Sequence, residues 1–134
     1  MATIILIDDN ESFVWVIKRT LEKSGYQVLG MHHASTALRY LDEGPVDLVI
    51  TDLNLPGIDG FGIISEIRRR GLNIPIIAVS GEIPMGDTFS LPRARQFGAD
   101  RIIAKPFLPH CLMEQVEELL GTHTLPADIC AAMI

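Results

Sequence analysis

Apolar residues fall along the chain in two alternating patterns, short unbroken runs and longer stretches with a period near that of a helix. The unbroken runs are Thr3–Ile7, Gln27–Met31, Leu48–Thr51, Ile76–Val79 and Ile102–Ala104, the second being the weakest. Runs this short, rich in β-branched residues and lacking alternation, predict strands covered on both faces, as in a parallel sheet. Between them, Glu11–Ser24 places Phe13, Ile17, Thr20 and Leu21 on one stripe and leaves Val14 and Trp15 off it. Ser35 reads as the N-cap of a second helix that turns Ala37, Leu38 and Leu41 inward. A third, about Asp59–Arg70, turns Phe61, Ile64 and Ile67 inward. A fourth falls in Asp87–Phe97, where Pro92 predicts a late start or a bend, because an interior proline costs roughly 3 kcal/mol. The last, Pro109–Leu120, begins on a proline and stops at Gly121. Strand and helix alternate five times, which predicts a doubly wound α/β fold with a five-stranded parallel sheet and five helices.

Size and composition narrow this further. The 134 residues suit one domain, residues 1–121, followed by a tail, 122–134, that lies outside the pattern. At 48% hydrophobic and 21% charged, the chain can bury a core. A net charge of −6 argues against direct binding to nucleic acid, which calls for a basic excess. No apolar run approaches the ~20 residues needed to span a membrane. The first residues carry no basic leader or cleavage site, and Cys111 and Cys130 make no disulfide framework. A cytoplasmic protein is expected.

Charge is unevenly placed. Nine acids and four bases lie between Met1 and Gly60, whereas seven bases and three acids lie between Arg68 and Lys105. Ligands of open α/β sheets bind beyond the carboxyl ends of the strands, so the residues that follow each apolar run matter most. The first run ends in Asp8-Asp9, the third in Asp52, the fourth in Ser80-Gly81 and the fifth in Lys105-Pro106. Three carboxylates brought together repel one another, and a hard divalent cation such as Mg²⁺ relieves that repulsion. With Ser80 and Lys105 beside them, the group suits a phosphoryl group in transfer, with Asp52 as the nucleophile.

These motifs resemble the receiver domain of two-component response regulators, similar to the chemotaxis regulator, over about residues 2–121. The resemblance is carried by Ile5-Leu6-Ile7-Asp8-Asp9, by Asp47 to Gly60 including Asp52-Leu53-Asn54-Leu55-Pro56-Gly57, by Ala78-Val79-Ser80-Gly81, and by Gly98-Ala99-Asp100 leading to Lys105-Pro106-Phe107. It implies a flavodoxin-like sheet in the order 2-1-3-4-5, an order taken from the family. It implies that Asp52 accepts a phosphoryl group from a phosphohistidine on a sensor histidine kinase or histidine phosphotransfer protein. Asp9 and Asp52 would bind Mg²⁺ directly, Asp8 through water, and Asn54 through its main-chain oxygen. Ser80 and Lys105 would hold phosphoryl oxygens, Asn54 and Glu82 would tune the lifetime of the acyl phosphate, and Lys105-Pro106 would be a cis peptide. The domain would be a phosphorylation-controlled switch that assists its own phosphorylation and dephosphorylation, rather than a turnover enzyme.

One position departs from the family. Ile102 stands three residues before the lysine, where Tyr or Phe is usual, and a branched aliphatic cannot perform the ring swing that follows movement of Ser80. The helical period puts Trp15 on the outer face of the first helix, either as an interface anchor or lying over the Arg19 and Lys18 stems. The resemblance implies that the donor docks there and on the loop after the fifth strand, through Val14, Trp15, Pro106 and Phe107. Arg68-Arg69-Arg70 closes the third helix, where positive charge favours the C-terminal dipole, and Arg93, Arg95 and Arg101 read as solvated rather than as a basic output face for an acidic partner. His32-His33 lacks the further ligands a metal site needs and reads as incidental. Cys111 reads as structural or surface. Nothing after residue 121 resembles a helix-turn-helix or catalytic module, so a single-domain regulator or a receiver from a larger protein is expected. Two other classes fit less well. A phosphohydrolase of the haloacid dehalogenase type needs a second aspartate where Asn54 stands, and a flavodoxin-like cofactor carrier needs a phosphate-cradling loop where Asp8-Asp9-Asn10-Glu11 would repel phosphate.

Overall fold

The computed structural model describes residues 2–53, 60–81, 98–105 and 107–121. Five parallel strands, β1 (Thr3–Ile7), β2 (Gln27–Met31), β3 (Leu48–Asp52), β4 (Ile76–Ser80) and β5 (Arg101–Ala104), form one sheet in the order β2-β1-β3-β4-β5. The described helices are α1 (Glu11–Lys23), α2 (Ala34–Glu43), α3 (Gly60–Arg69) and α4 (Pro109–Leu120). The helix expected in Asp87–Phe97 and the tail 122–134 lie outside the described residues.

The unbroken hydrophobicity of the strands has the expected cause. Every residue of β1, β3 and β4 is buried, whereas the edge strands β2 and β5 are partly exposed. Alternate residues of β1 serve opposite faces. Ile4 and Leu6 pack with Val14, Ile17 and Leu21 of α1 and with Leu112 and Val116 of α4. Ile5 and Ile7 pack with Ala34 and Ala37 of α2 and with Ile63, Ile64 and Ile67 of α3. Among the described residues, no helix is long and apolar enough to cross a membrane.

Two local expectations are corrected and a third is extended. Val14 is in the core, only 6% exposed, while Phe13 and Thr20 are partly exposed. The reason lies in β2, where a Cβ added to Gly30 would come 2.6 Å from Val14 Cγ1. The missing side chain lets α1 settle on β2 with Val14 facing inward. A side chain so covered offers no contact to a partner. Ser35 is inside the first turn of α2, because that helix starts at Ala34 with His33 at the cap position and no side-chain capping bond. In α3, Phe61, Ile64 and Ile67 face inward as expected, Phe61 packing partly buried against their cluster, and Ile63 joins them in full burial.

Arg68, Arg70 and Arg101 prove to be cross-links between elements, Arg70 at the end of α3 donating from Nη1 to the Leu38 carbonyl and Asp42 Oδ1 of α2. Arg68 donates from Nε and Nη2 to the Gly98 carbonyl, from Nη1 to the Leu72 carbonyl, and from Nη2 to Asp100 Oδ2 at 3.0 Å. Asp100 Oδ2 also accepts from the Ile76 N–H, so one guanidinium ties α3 to the starts of β4 and β5. Gly98 has φ +114°, and a Cβ there would lie 2.7 Å from Arg68 Cγ, so glycine is required twice over. Arg101 of β5 reaches Gln115 and Glu118 of α4. Pro109 and Gly121 bound α4 as expected, with Gly121 in the left-handed region at φ +77°.

Candidate functional site

Strand order reverses between β1 and β3, and the crevice beyond their carboxyl ends is where an open α/β sheet binds ligands. Asp8 stands at the exit of β1 and is 1% exposed, Asp9 beside it is exposed, and Asp52 is the last residue of β3 and 6% exposed. Asp8 is fixed from several directions. Its N–H donates to the Met31 carbonyl, and its Oδ1 accepts the Asn10 N–H at 2.9 Å. Its own carbonyl lies 3.1 Å from His32 Nδ1, which must therefore carry the proton, because a carbonyl only accepts. Asn10 then caps α1, its Oδ1 accepting from Phe13 N–H at 3.1 Å.

Ser80 is buried at the end of β4. Its carbonyl accepts the Lys105 N–H at 2.8 Å, so strand pairing continues past β5 and carries Lys105 to the same edge. The Lys105 ammonium lies 2.8 Å from Asp8 Oδ2 and 3.7 Å from Asp52 Oδ2. It also stands 4.0 Å from the centroid of the Phe13 ring, which meets Phe107 edge to face at 5.8 Å.

One carboxylate oxygen each from Asp8, Asp9 and Asp52 lies within 4.8 Å of the others. Two unit charges at 4.8 Å repel by about 3.5 kcal/mol at an effective dielectric of about 20, so the trio needs more than one ammonium nearby. Mg²⁺ binds oxygen at about 2.1 Å, which sets opposite ligands about 4.2 Å apart. The three oxygens thus fit such a shell with a small contraction or with one water interposed, and the hard oxygen donors suit it chemically.

Every residue singled out at a described strand end, Asp8, Asp9, Asp52, Ser80 and Lys105, therefore comes to one edge of the sheet. Asn54, Glu82 and Pro106 lie outside the described residues. Ile102 pairs with Ala78 and packs on the face covered by α2 and α3. Trp15 is 61% exposed on α1, with the Arg19 guanidinium carbon 4.9 Å from its ring centroid. Phe13 and His32 were not assigned to the site from the sequence. Phe13 reads as core by its period, and only its distance to Lys105 reveals the second contact.

Comparison with known proteins bears on the family and the fold. The family model described as response regulator receiver domain matches residues 4–117. The chain is 33% identical to the chemotaxis protein CheY1 of Helicobacter pylori over 124 residues, 90% of this chain and 98% of that protein. It is 30% identical over 124 residues to the alkaline phosphatase synthesis transcriptional regulatory protein PhoP of Bacillus subtilis, 92% of this chain but only 50% of that protein. Among solved structures, the chemotaxis response regulator CheY4 of Vibrio cholerae superposes with a TM-score of 0.80 at 25% identity, over 90% of this chain and 99% of that one.

Proposed function

The chain belongs to the response regulator receiver domain family, the phosphorylation-controlled switches of two-component signalling, and on that premise we propose that Asp52 is its phosphoacceptor. The observation that carries this reading is the Lys105 ammonium within reach of both Asp8 and Asp52, with Asp9 opening the trio to solvent. A carboxylate oxygen of Asp52 attacks the phosphorus of a phosphohistidine on a sensor histidine kinase or histidine phosphotransfer protein. An O–P bond forms, the P–N bond breaks, and the imidazole nitrogen leaves with the electron pair and takes up a proton. Lys105 and the Ser80 hydroxyl hold the oxygens of the transferred group, where preorganised donors stabilise developing charge. Asp8, Asp9, Asp52 and the main-chain oxygen of Asn54 are the groups that would hold Mg²⁺. Bound there, Mg²⁺ supplies neutralisation of the carboxylates and of the phosphoryl oxygens.

The donor docks over the exposed face of α1 and the loop after β5, through Trp15, Pro106 and Phe107; Val14, being buried, is not part of that surface. Asn54 and Glu82 tune the lifetime of the acyl phosphate, which hydrolyses within the domain. Ser80 and Ile102 transmit the change, and with no aromatic ring to swing at Ile102, the displacement on phosphorylation is small or lies elsewhere. The acidic balance disfavours direct contact with nucleic acid, and the domain works in the cytoplasm.

The test is phosphoryl uptake from acetyl phosphate, followed by intact mass with Mg²⁺ or with chelator. Wild type gains about 80 Da, the mass of one phosphoryl group, only when Mg²⁺ is present. Uptake that persists unchanged in chelator overturns the assignment of the acidic trio.

A further inference from the structure

An ammonium among carboxylates has three N–H bonds to direct and a flexible four-carbon stem. The backbone of Lys105 is held by its bond to Ser80, but the stem needs contacts of its own. Asp8 Oδ2 accepts from Nζ at 2.8 Å, and the Phe13 ring presents its face with the centroid 4.0 Å away. A ring face attracts a cation through its quadrupole and brings no net charge. That distinction matters beside three carboxylates within 4.8 Å of one another. A fourth carboxylate at Phe13 would hold the lysine too, but it would repel an incoming phosphoryl group. Phe13 is in turn held at both ends, its N–H by the Asn10 cap and its ring by the edge-to-face contact with Phe107. Phe107 follows Lys105 by two residues, so the segment that carries the lysine also steadies the ring that holds it.

We propose that Phe13 is a positioning residue for phosphoryl transfer, its ring face holding the Lys105 ammonium within reach of Asp8 and Asp52; the inference rests on the roles of Asp52 and Lys105 given above. Acetyl phosphate with Mg²⁺ is the donor of choice, because it has no protein surface for Phe13 to meet. Phe13→Leu keeps an apolar side chain and removes the ring, and Phe13→Tyr restores a ring. Uptake slows about threefold to tenfold in Phe13→Leu and returns to within about twofold of wild type in Phe13→Tyr. In a Lys105→Ala background, Phe13→Leu has no further effect.

A second readout needs no donor. The chain has three lysines, and ring-current shielding sets the ε-methylene protons of Lys105 upfield of those of Lys18 and Lys23. Phe13→Leu abolishes that displacement and Phe13→Tyr keeps it. A wild-type rate in Phe13→Leu while Lys105→Ala is slow, an equal loss in the Lys105→Ala background, or the absence of the upfield shift overturns the inference. Uptake undiminished in Asp52→Ala overturns instead the role of Asp52, and the proton shift still decides whether Phe13 holds Lys105.

Discussion

Gly30→Ala offers a sharp test of how α1 is seated. The added methyl would stand 2.6 Å from Val14 Cγ1, a separation that real Cβ atoms essentially never show. Val14 has little room to turn away, because a helical valine keeps one strongly preferred rotamer and this one is buried among Ile4, Leu6, Ile17 and Val28. Overpacking of this kind costs about 1–3 kcal/mol. Loss of glycine freedom in the unfolded chain returns about 0.4–1 kcal/mol, leaving a net destabilisation of about 1–2 kcal/mol. At about 2.1 cal/mol/K of unfolding entropy per residue, a chain of 134 residues loses roughly 4–7 °C in Tm. Scanning calorimetry and urea unfolding would measure it alongside Val14→Ala and the double variant. Val14→Ala removes the obstructing methyl, so Gly30→Ala becomes neutral or slightly stabilising in that background, with a coupling of about 1 kcal/mol or more. Wild-type stability in Gly30→Ala, or strictly additive single changes, would refute the seating of α1 on β2 through Val14.

Arg68→Ala removes four hydrogen bonds that reach Gly98, Leu72 and Asp100, and lowers unfolding stability by about 2–3 kcal/mol in urea. Arg68→Lys does not restore it, since an ammonium lacks the fork that serves these acceptors together. Glu66 is held down from 4.5 to about 2 by side-chain hydrogen bonds to Arg69 and then Arg70. Its pairing therefore contributes fully above about pH 4.5 and is lost as pH falls toward 2, so Glu66→Gln loses less stability than wild type across that window in acid melts. Trp15, the single tryptophan, is 61% exposed, so Trp15→Ala changes unfolding stability by less than about 0.5 kcal/mol while slowing transfer from a phosphohistidine protein. An equal transfer rate in that variant would remove Trp15 from the docking surface.

The strand ends were legible because four of the five unbroken apolar runs stop at a residue that has no place in a core. Asp8, Asp52, Ser80 and Lys105 needed only a parallel sheet to bring them together. Strand order was not legible from the pattern itself and came with the family resemblance. The face of α1 was misjudged by one position, since a helical period fits Phe13, Ile17 and Leu21 nearly as well as Val14, Ile17 and Leu21. What decides between them is a missing side chain at Gly30, in a different element. Arg68 looked like an ordinary basic helix end, because its partners Gly98 and Asp100 are distant in sequence and nothing in their motif pairs them with it. Phe13 was hidden for the opposite reason: it satisfies the core pattern while its ring face serves a lysine brought from β5. Local composition records which residues are buried, but not which distant backbone they meet.

The central claim is that Asp52 carries the phosphoryl group. Borohydride reduces an acyl phosphate to a primary alcohol, which would turn a phosphorylated Asp52 into homoserine. Peptide mass mapping after treatment with acetyl phosphate, Mg²⁺ and borohydride should place homoserine at position 52 of wild type, and at no position in Asp52→Ala. Homoserine at Asp8 or Asp9 instead, or equal labelling in Asp52→Ala, would contradict the account.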